Sequence, residues 1–361
     1  MGGGVRDHWR AMLPRMLTAR TGQASLAINP WIFAVAAINA ILAVGIGVLI
    51  APHVWSVDGD RNLAAARALM AGTFGQDHGY LYTPLAAALA IPAVAVVPYG
   101  GAVLGWLVAR IGVLLDGVRR EVGDLSTIDR ILVAVAAIGF VPTLHDLLLG
   151  NVSIPITAAV AVVAWSGDGY LAGLPLGLVL ATVPKPALIP ILIWMLVFRR
   201  RALTSAVGSA AILSVATLAI LGASTYGAWF QVLLHPDYME TNQAGNLALG
   251  AMLPAILAWP LMTLTVVATI VALRRGEAPG FIACLCAGLL IAPYTMAYGA
   301  VLLLLAVRPL ARVAPRPTFV LAATGSVGAI VFLPIWVGAI LATTLTIPRS
   351  AWTTLQHGAA T

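Results

Sequence analysis

Residues 54–89 read VWSVDGDRNLAAARALMAGTFGQDHGYLYTPLAAAL. Apolar runs lie on both sides, and this is the longest polar interruption near the start of the chain. It holds Asp58, Asp60 and Asp77, Arg61 and Arg67, and His78, with His53 just ahead of it. The reading is a loop, residues 53–80, held at a membrane surface by the apolar runs around it.

Composition supports that reading. The chain of 361 residues is 61% hydrophobic and 9% charged, against roughly 25% charged in a soluble domain. So much apolar surface cannot be hidden in one water-soluble core, which places the chain in lipid. The 22 prolines and 35 glycines fit, because neighbouring transmembrane helices satisfy the backbone groups such residues free. The expected fold is all-α, a polytopic transmembrane helix bundle forming one membrane domain over residues 1–361.

Net charge is +7, and Lys185 is the only lysine among the twenty basic residues. The arginines sit in short clusters between apolar runs. That pattern carries topology and excludes a continuous groove for nucleic acid. Arg6, Arg10, Arg15 and Arg20 put the basic, amphipathic segment 1–30 in the cytoplasm. The first apolar run, Trp31 to Ala51, is long enough to span and reads as a retained helix rather than a signal peptide.

Leu81 to Val97 reads as a re-entrant piece, because Arg119 and Arg120 should be inside. Counting onward, the runs Gly101–Leu115, Ile131–Leu144, Val152–Trp165, Leu171–Val183 and Ala187–Phe198 alternate across the membrane. Ala206–Leu221, Pro254–Leu273, Phe281–Ala292, Ala297–Val307 and Phe319–Leu341 complete about 11 crossings, with the C-terminus outside. Outer segments then fall at 53–80, 145–151, 184–186, 224–249 and 293–298. Cys284 and Cys286, two apart on a helix, point to different sides and form neither a disulfide nor a zinc site.

Asp60 precedes an Ala- and Leu-rich run that Gly72 can close, so Asp60 reads as an N-cap and Gly72 as a left-handed cap. Asp58, just before that helix, has no such structural use and could take a proton from a hydroxyl. Lys185, in Val183-Pro184-Lys185-Pro186, is a charge between apolar runs, where ionisable groups are functional candidates. Its ammonium suits a phosphate. His145, at another outer turn, is a further phosphate or sugar contact. Outer loop 224–249 carries Trp229, His235, Tyr238, Asn242, Gln243 and Asn246, aromatics and amides of the kind that meet sugars.

These residues resemble a known pattern. Asp58, a helix ending before Gly72, and Tyr80-Leu81-Tyr82-Thr83-Pro84-Leu85 are similar to the Asp, the Leu-x-x-Gly helix end and the Tyr-Pro-Pro-Leu of the polyprenol-phosphate-mannose-dependent α-1,2-mannosyltransferases of actinobacteria. Gly150-Asn151 resembles part of that family's Gly-Gln-x-Asn turn. Gly173 to Lys185 and Pro186 resembles its Gly-x-x-x-Gly…Lys-x-x-Pro span. Asn246-Leu247-Ala248-Leu249 is similar to its Asn-x-Ser-Leu loop, and Pro293 to Tyr298 to its Ser-Pro-x-Ser-Trp segment. The matches are collinear from about residue 55 to 300. Asn62, Thr83 and Ala248 depart from the pattern, and Tyr298 stands near where the family often carries a His.

The resemblance implies a GT-C fold and an inverting glycosyltransferase of the plasma membrane with an extracytoplasmic active site. The donor would be mannose or a pentose on a polyprenyl phosphate, and the acceptor a lipid or glycan, with no metal or other cofactor. Asp58 would be the catalytic base. Lys185, His145 and Tyr298 would bind the donor phosphate, and Asp60, Arg61, Tyr82, Asn151, Asn242 and Asn246 the sugar or acceptor. The rival class is a transporter or flippase of a lipid-linked sugar. It would show an inverted repeat and charges near the midplane, whereas here the candidate groups lie at the outer rim and only Arg110 and Asp116 look deeper.

Overall fold

The computed structural model describes residues 28–75, 80–234 and 245–358. Asp77, His78, His235, Tyr238, Asn242, Gln243 and the basic segment up to residue 27 lie outside the described residues. Those described are helical with no strand. In order the helices are α1 (Pro30–Val54), α2 (Val57–Met70), α3 (Pro84–Val96), α4 (Tyr99–Glu121), α5 (Thr127–Gly139), α6 (Val141–Leu149), α7 (Ser153–Ser166) and α8 (Tyr170–Thr182). After a 3-10 turn, Pro186–Leu188, come α9 (Ile189–Phe198), α10 (Arg200–Leu221), α11 (Ala223–Leu234), α12 (Ala255–Arg275) and α13 (Glu277–Ile291). A 3-10 stretch, Ala297–Leu303, leads into α14 (Leu304–Val313), and α15 (Pro315–Val331), α16 (Leu333–Thr346) and α17 (Arg349–Gly358) follow.

Among the described residues, four helical runs are long and apolar enough to cross a membrane: Pro30–Met70, Tyr99–Glu121, Arg200–Leu221 and Ala255–Arg275. The pair α5 and α6, bent by 62°, makes a fifth if taken as one span. The expected count of about 11 crossings relied on apolar runs that fold as shorter helices, such as α7, α8, α13 and α16. At 1.5 Å per residue, the 13-residue α8 covers about 20 Å, short of a hydrocarbon core of about 30 Å.

The chain departs from the expected spans where it breaks. The expected outer loop 53–80 is largely helical: α1 stops at Val54, and α2 starts at Val57. Ser56 makes the break, the only described non-glycine residue with positive φ, at +57°. Helix α2 therefore begins at Val57, and the Asp60 N–H bonds back to the Ser56 carbonyl (2.7 Å). Asp60 lies within the first turn and is not the N-cap. At the other end Gly72 is left-handed (φ +72°), and Gly72 N–H and Thr73 N–H donate to the Leu69 and Ala68 carbonyls. That is the Schellman pattern which frees no carbonyl and ends the helix.

The expected span Ile131–Leu144 bends at Phe140. A polar knot handles the bend: the Val141 N–H donates to Ser326 Oγ, whose hydroxyl donates to Asn39 Oδ1. The expected last span, Phe319–Leu341, is two helices that fold back on each other. A Cβ on Gly325 or Gly328 would press on the Trp336 ring, so α15 and α16 pack face to face around small residues. The hairpin returns the chain to the arginine-rich end, where Arg275 donates to the Leu345 carbonyl and α17 packs on α14. This reverses the expectation that the last span exits on the side away from Arg275.

Helix α4 measures the bundle. Its first residue, Tyr99, donates its hydroxyl to Asp60, and its last, Glu121, pairs with Arg308 (3.3 Å). Its 23 residues span about 34 Å, one hydrocarbon core. The Asp60 end and the arginine end are thus opposite ends of one bundle. Arg308 and Arg312 flank Asp124, and Arg199 pairs with Glu277 (2.5 Å) beside Arg275. Cys284 and Cys286 are buried and free.

Two glycines separate backbone strain from close approach. A Cβ on left-handed Gly150 would lie 2.8 Å from the Gly59 nitrogen, whereas one on left-handed Gly72 would meet nothing. Gly72→Ala is expected to lose about 1 kcal/mol through backbone strain alone. Gly150→Ala is expected to lose at least twice as much, read as thermal unfolding in detergent.

Candidate active site

The Gly59–Gly150 contact brings the start of α2 against the turn between α6 and α7. Asp58 thereby meets Asn151, whose Nδ2 donates to Asp58 Oδ2 (2.5 Å). The orientation of that amide is fixed from its other side. Asn151 Oδ1 already accepts from the Val152 N–H (2.7 Å) and the Ser153 hydroxyl (3.3 Å), leaving the NH2 for the carboxylate. Arg61, one turn along α2 and about half exposed, pairs loosely with Asp58 Oδ1 at 3.5 Å.

Lys185 approaches from the end of α8. Gly173 and Gly177 on α8 let it press against the Ala202–Ser209 stretch of α10 without room for a methyl, the close packing that small residues permit in membranes. Beyond α8, Gly288 gives the Ala187 carbonyl its space, which fixes the 186–188 turn. Thr83, ahead of α3, donates its N–H to the Thr182 carbonyl and its hydroxyl to the Ala181 carbonyl. The segment 80–83 is therefore tied to the strand of chain that carries Lys185.

The Lys185 Nζ stands over the Tyr298 ring, 5.2 Å from its centroid, and the His145 ring meets Tyr298 edge-on at 5.7 Å. The Tyr294 and Tyr298 hydroxyls are hydrogen-bonded to each other. Asp58 lies within electrostatic reach of Lys185, His145, Tyr82, Tyr294 and Tyr298. Burial pulls the Lys185 ammonium below the ordinary lysine range, and Asp146 and then Asp58 act against that pull. Asp58 and Lys185, from distant parts of the chain, thus lie within electrostatic reach of each other, with tyrosines and a histidine beside them. Such a cluster can accept a proton at the carboxylate and hold an anion at the ammonium.

The other named residues divide. Arg61, Tyr82 and Asn151 join the cluster. Asp60 turns away to Tyr99, so the two carboxylates of Asp-Gly-Asp have different partners. Asn246 serves as a strap: its Nδ2 donates to the Pro293 carbonyl (2.9 Å), and its Oδ1 accepts from Thr295 and Ala248 N–H. It holds the segment that carries Tyr294 and Tyr298, and its second Nδ2 hydrogen has no bond to the described chain. The sequence placed Arg110 deeper than the other polar groups and Asp146 at the turn of His145 but gave neither a role; they are buried to 2% and 0% and paired at 3.7 Å, and Tyr294 was not singled out. The signal was available for Arg110, a lone arginine in the middle of an apolar run.

The described chain is a helical bundle with helices long and apolar enough to cross a membrane, and it carries a cluster of an acid, a cation, tyrosines and a histidine. The family model described as Glycosyltransferase family 87 matches residues 80–334, and the chain belongs to that family. It is therefore a glycosyltransferase, and a transporter is not favoured. The matched region contains Lys185, His145, Asn151 and Tyr298 and begins after Asp58. Neither a curated protein nor a solved structure matches the chain.

Asn246→Ala strips the strap of its bonds and is expected to lose about 1–3 kcal/mol, seen as a lower melting temperature in detergent. Arg61→Met, at an exposed pair, is expected to lose less than about 1 kcal/mol in the same melt.

Proposed function

We propose that this protein transfers a sugar, mannose or a pentose, from a polyprenyl phosphate to a hydroxyl of a lipid or glycan acceptor, with inversion at the anomeric carbon. The acceptor oxygen attacks that carbon as the bond to the phosphate oxygen breaks. Asp58 takes the acceptor proton as general base. Polyprenyl phosphate departs with the electron pair, and the negative charge it gains is met by Lys185, with Tyr298 and His145 beside it. Charge developing there is stabilised most by a cation already in place in a dry cleft. Asn151 holds Asp58, and Arg61 and Tyr82 line the entry to the cleft.

The observation that carries this reading is the electrostatic proximity of Asp58 and Lys185, beside Tyr298 and His145, in a family 87 glycosyltransferase. The side of the membrane follows from charge. The arginine-rich end opposite the cleft belongs in the cytoplasm under the positive-inside bias, so the reaction is extracytoplasmic, at the plasma membrane.

The test incubates purified protein with radiolabelled polyprenyl-phosphate sugars and a panel of lipid acceptors. Asp58→Asn is expected to remain folded and lose at least about 100-fold in turnover. Asp60→Asn, which only loses Tyr99, is expected to fall a few-fold. Lys185→Met is expected to cost about 100-fold or more. Wild-type turnover by Asp58→Asn overturns the assignment of the base.

A further inference from the structure

The turn that presents Asn151 is held by groups that the reaction itself does not use. Helix α6 ends inside an apolar bundle, and the last carbonyls of a helix have no partners of their own. Here the partners come from two other elements. Arg110, on α4, donates Nη1 to the Asp146 carbonyl (2.6 Å) and the Asn151 carbonyl (3.3 Å), and Nη2 to the Leu147 carbonyl (2.9 Å). Trp106, one turn earlier, donates Nε1 to the Gly150 carbonyl (2.9 Å). Ser56, at the break before α2, donates its N–H to the Leu148 carbonyl (2.7 Å).

The fork is itself held. The Trp106 ring lies under the Arg110 guanidinium, 5.5 Å from centroid to Cζ, and the Asp146 carboxylate balances its charge at 3.7 Å. Asp146 Oδ1 also accepts the Ser153 N–H (3.0 Å) and so fixes the start of α7. A planar fork with several fixed donors suits this task, and a lysine ammonium could not span the same set of carbonyls. Arg110 is too deeply buried to meet a substrate.

We propose that Arg110 and Trp106 are positioning residues: they lock the 146–151 turn so that the Asn151 amide aims the Asp58 carboxylate at the acceptor hydroxyl. The proposal rests on Asp58 being the general base. It differs from a plain stabilising role because the effect must pass through Asn151. A carboxylate displaced by a fraction of an ångström from its attack geometry loses rate, while ground-state donor binding at Lys185 is untouched.

The test uses the full-length protein, polyprenyl-phosphate-[3H]mannose as donor and a membrane-lipid extract as acceptor. Trp106→Phe keeps a ring beneath Arg110 and deletes only the N–H. It is expected to lower kcat about 10-fold with donor KM unchanged, and Arg110→Lys about 100-fold. Combined with Asn151→Ala, Trp106→Phe is expected to add no further loss, as for residues acting through one another. If Arg110→Lys does not fold, the Trp106 cycle decides alone. Wild-type kcat in Trp106→Phe, or a full additive loss in the Asn151→Ala background, overturns the positioning role. Asp58→Asn run beside them separates the two ideas. An active Asp58→Asn sinks the general-base reading, whereas an inactive one with a silent Trp106→Phe sinks only this inference.

Discussion

A helix can end inside an apolar bundle only where other groups satisfy its last carbonyls, because no water is present to do so. The end of α6 is such a place, and the candidate site is arranged around it. Gly150 turns the chain left-handed, and its missing side chain admits Gly59. Donors from α4 and from the Ser56 break fill the open carbonyls. Asp58 then stands beside Asn151, so the constraint that stops a helix also assembles an acid at a membrane surface.

The second half of the cleft follows from small residues. Glycines on α8 and α13 allow backbones to touch, and that contact sets where the chain emerges as Val183-Pro184-Lys185. The aromatic wall arrives from a third direction, on the 293–298 segment strapped by Asn246. Acid, cation and wall come from separate regions of the chain, each fixed by its own local contact. The acid and its amide partner are also the pair least able to tolerate a shift, since a proton transfer depends on tenths of an ångström.

Composition made the membrane fold legible, and the arginine clusters marked one end of the bundle correctly relative to each other. Gly72 was readable as a helix cap because a left-handed residue after an Ala-rich run has few other meanings. The break at Ser56 was not readable, since a left-handed serine has no sequence signature, and so α2 was placed four residues late and Asp60 was taken for the cap. The α15–α16 hairpin was missed because Gly325 and Gly328 look like ordinary transmembrane glycines until Trp336 is seen packed on them. Asp58, Lys185, His145 and Asn151 stood out as polar groups among apolar ones. Asn246 stood out for the same reason, but its backbone bonds to the 293–295 segment were not legible, because sequence does not reveal how an amide divides itself between a ligand and the backbone. Arg110 stood out as a deeper charge and Asp146 as a turn residue, but their pairing was not legible because the two lie on helices far apart in sequence.

The central claim is that sugar transfer takes place between Asp58 and Lys185. It is tested most directly by a structure of the protein with a polyprenyl-phosphate sugar bound. The account expects the phosphate within contact distance of Lys185 and Tyr298, with the face of the anomeric carbon opposite the phosphate open toward Asp58. A phosphate seated at the arginine-rich end, or a sugar whose reactive face points away from Asp58, would contradict it.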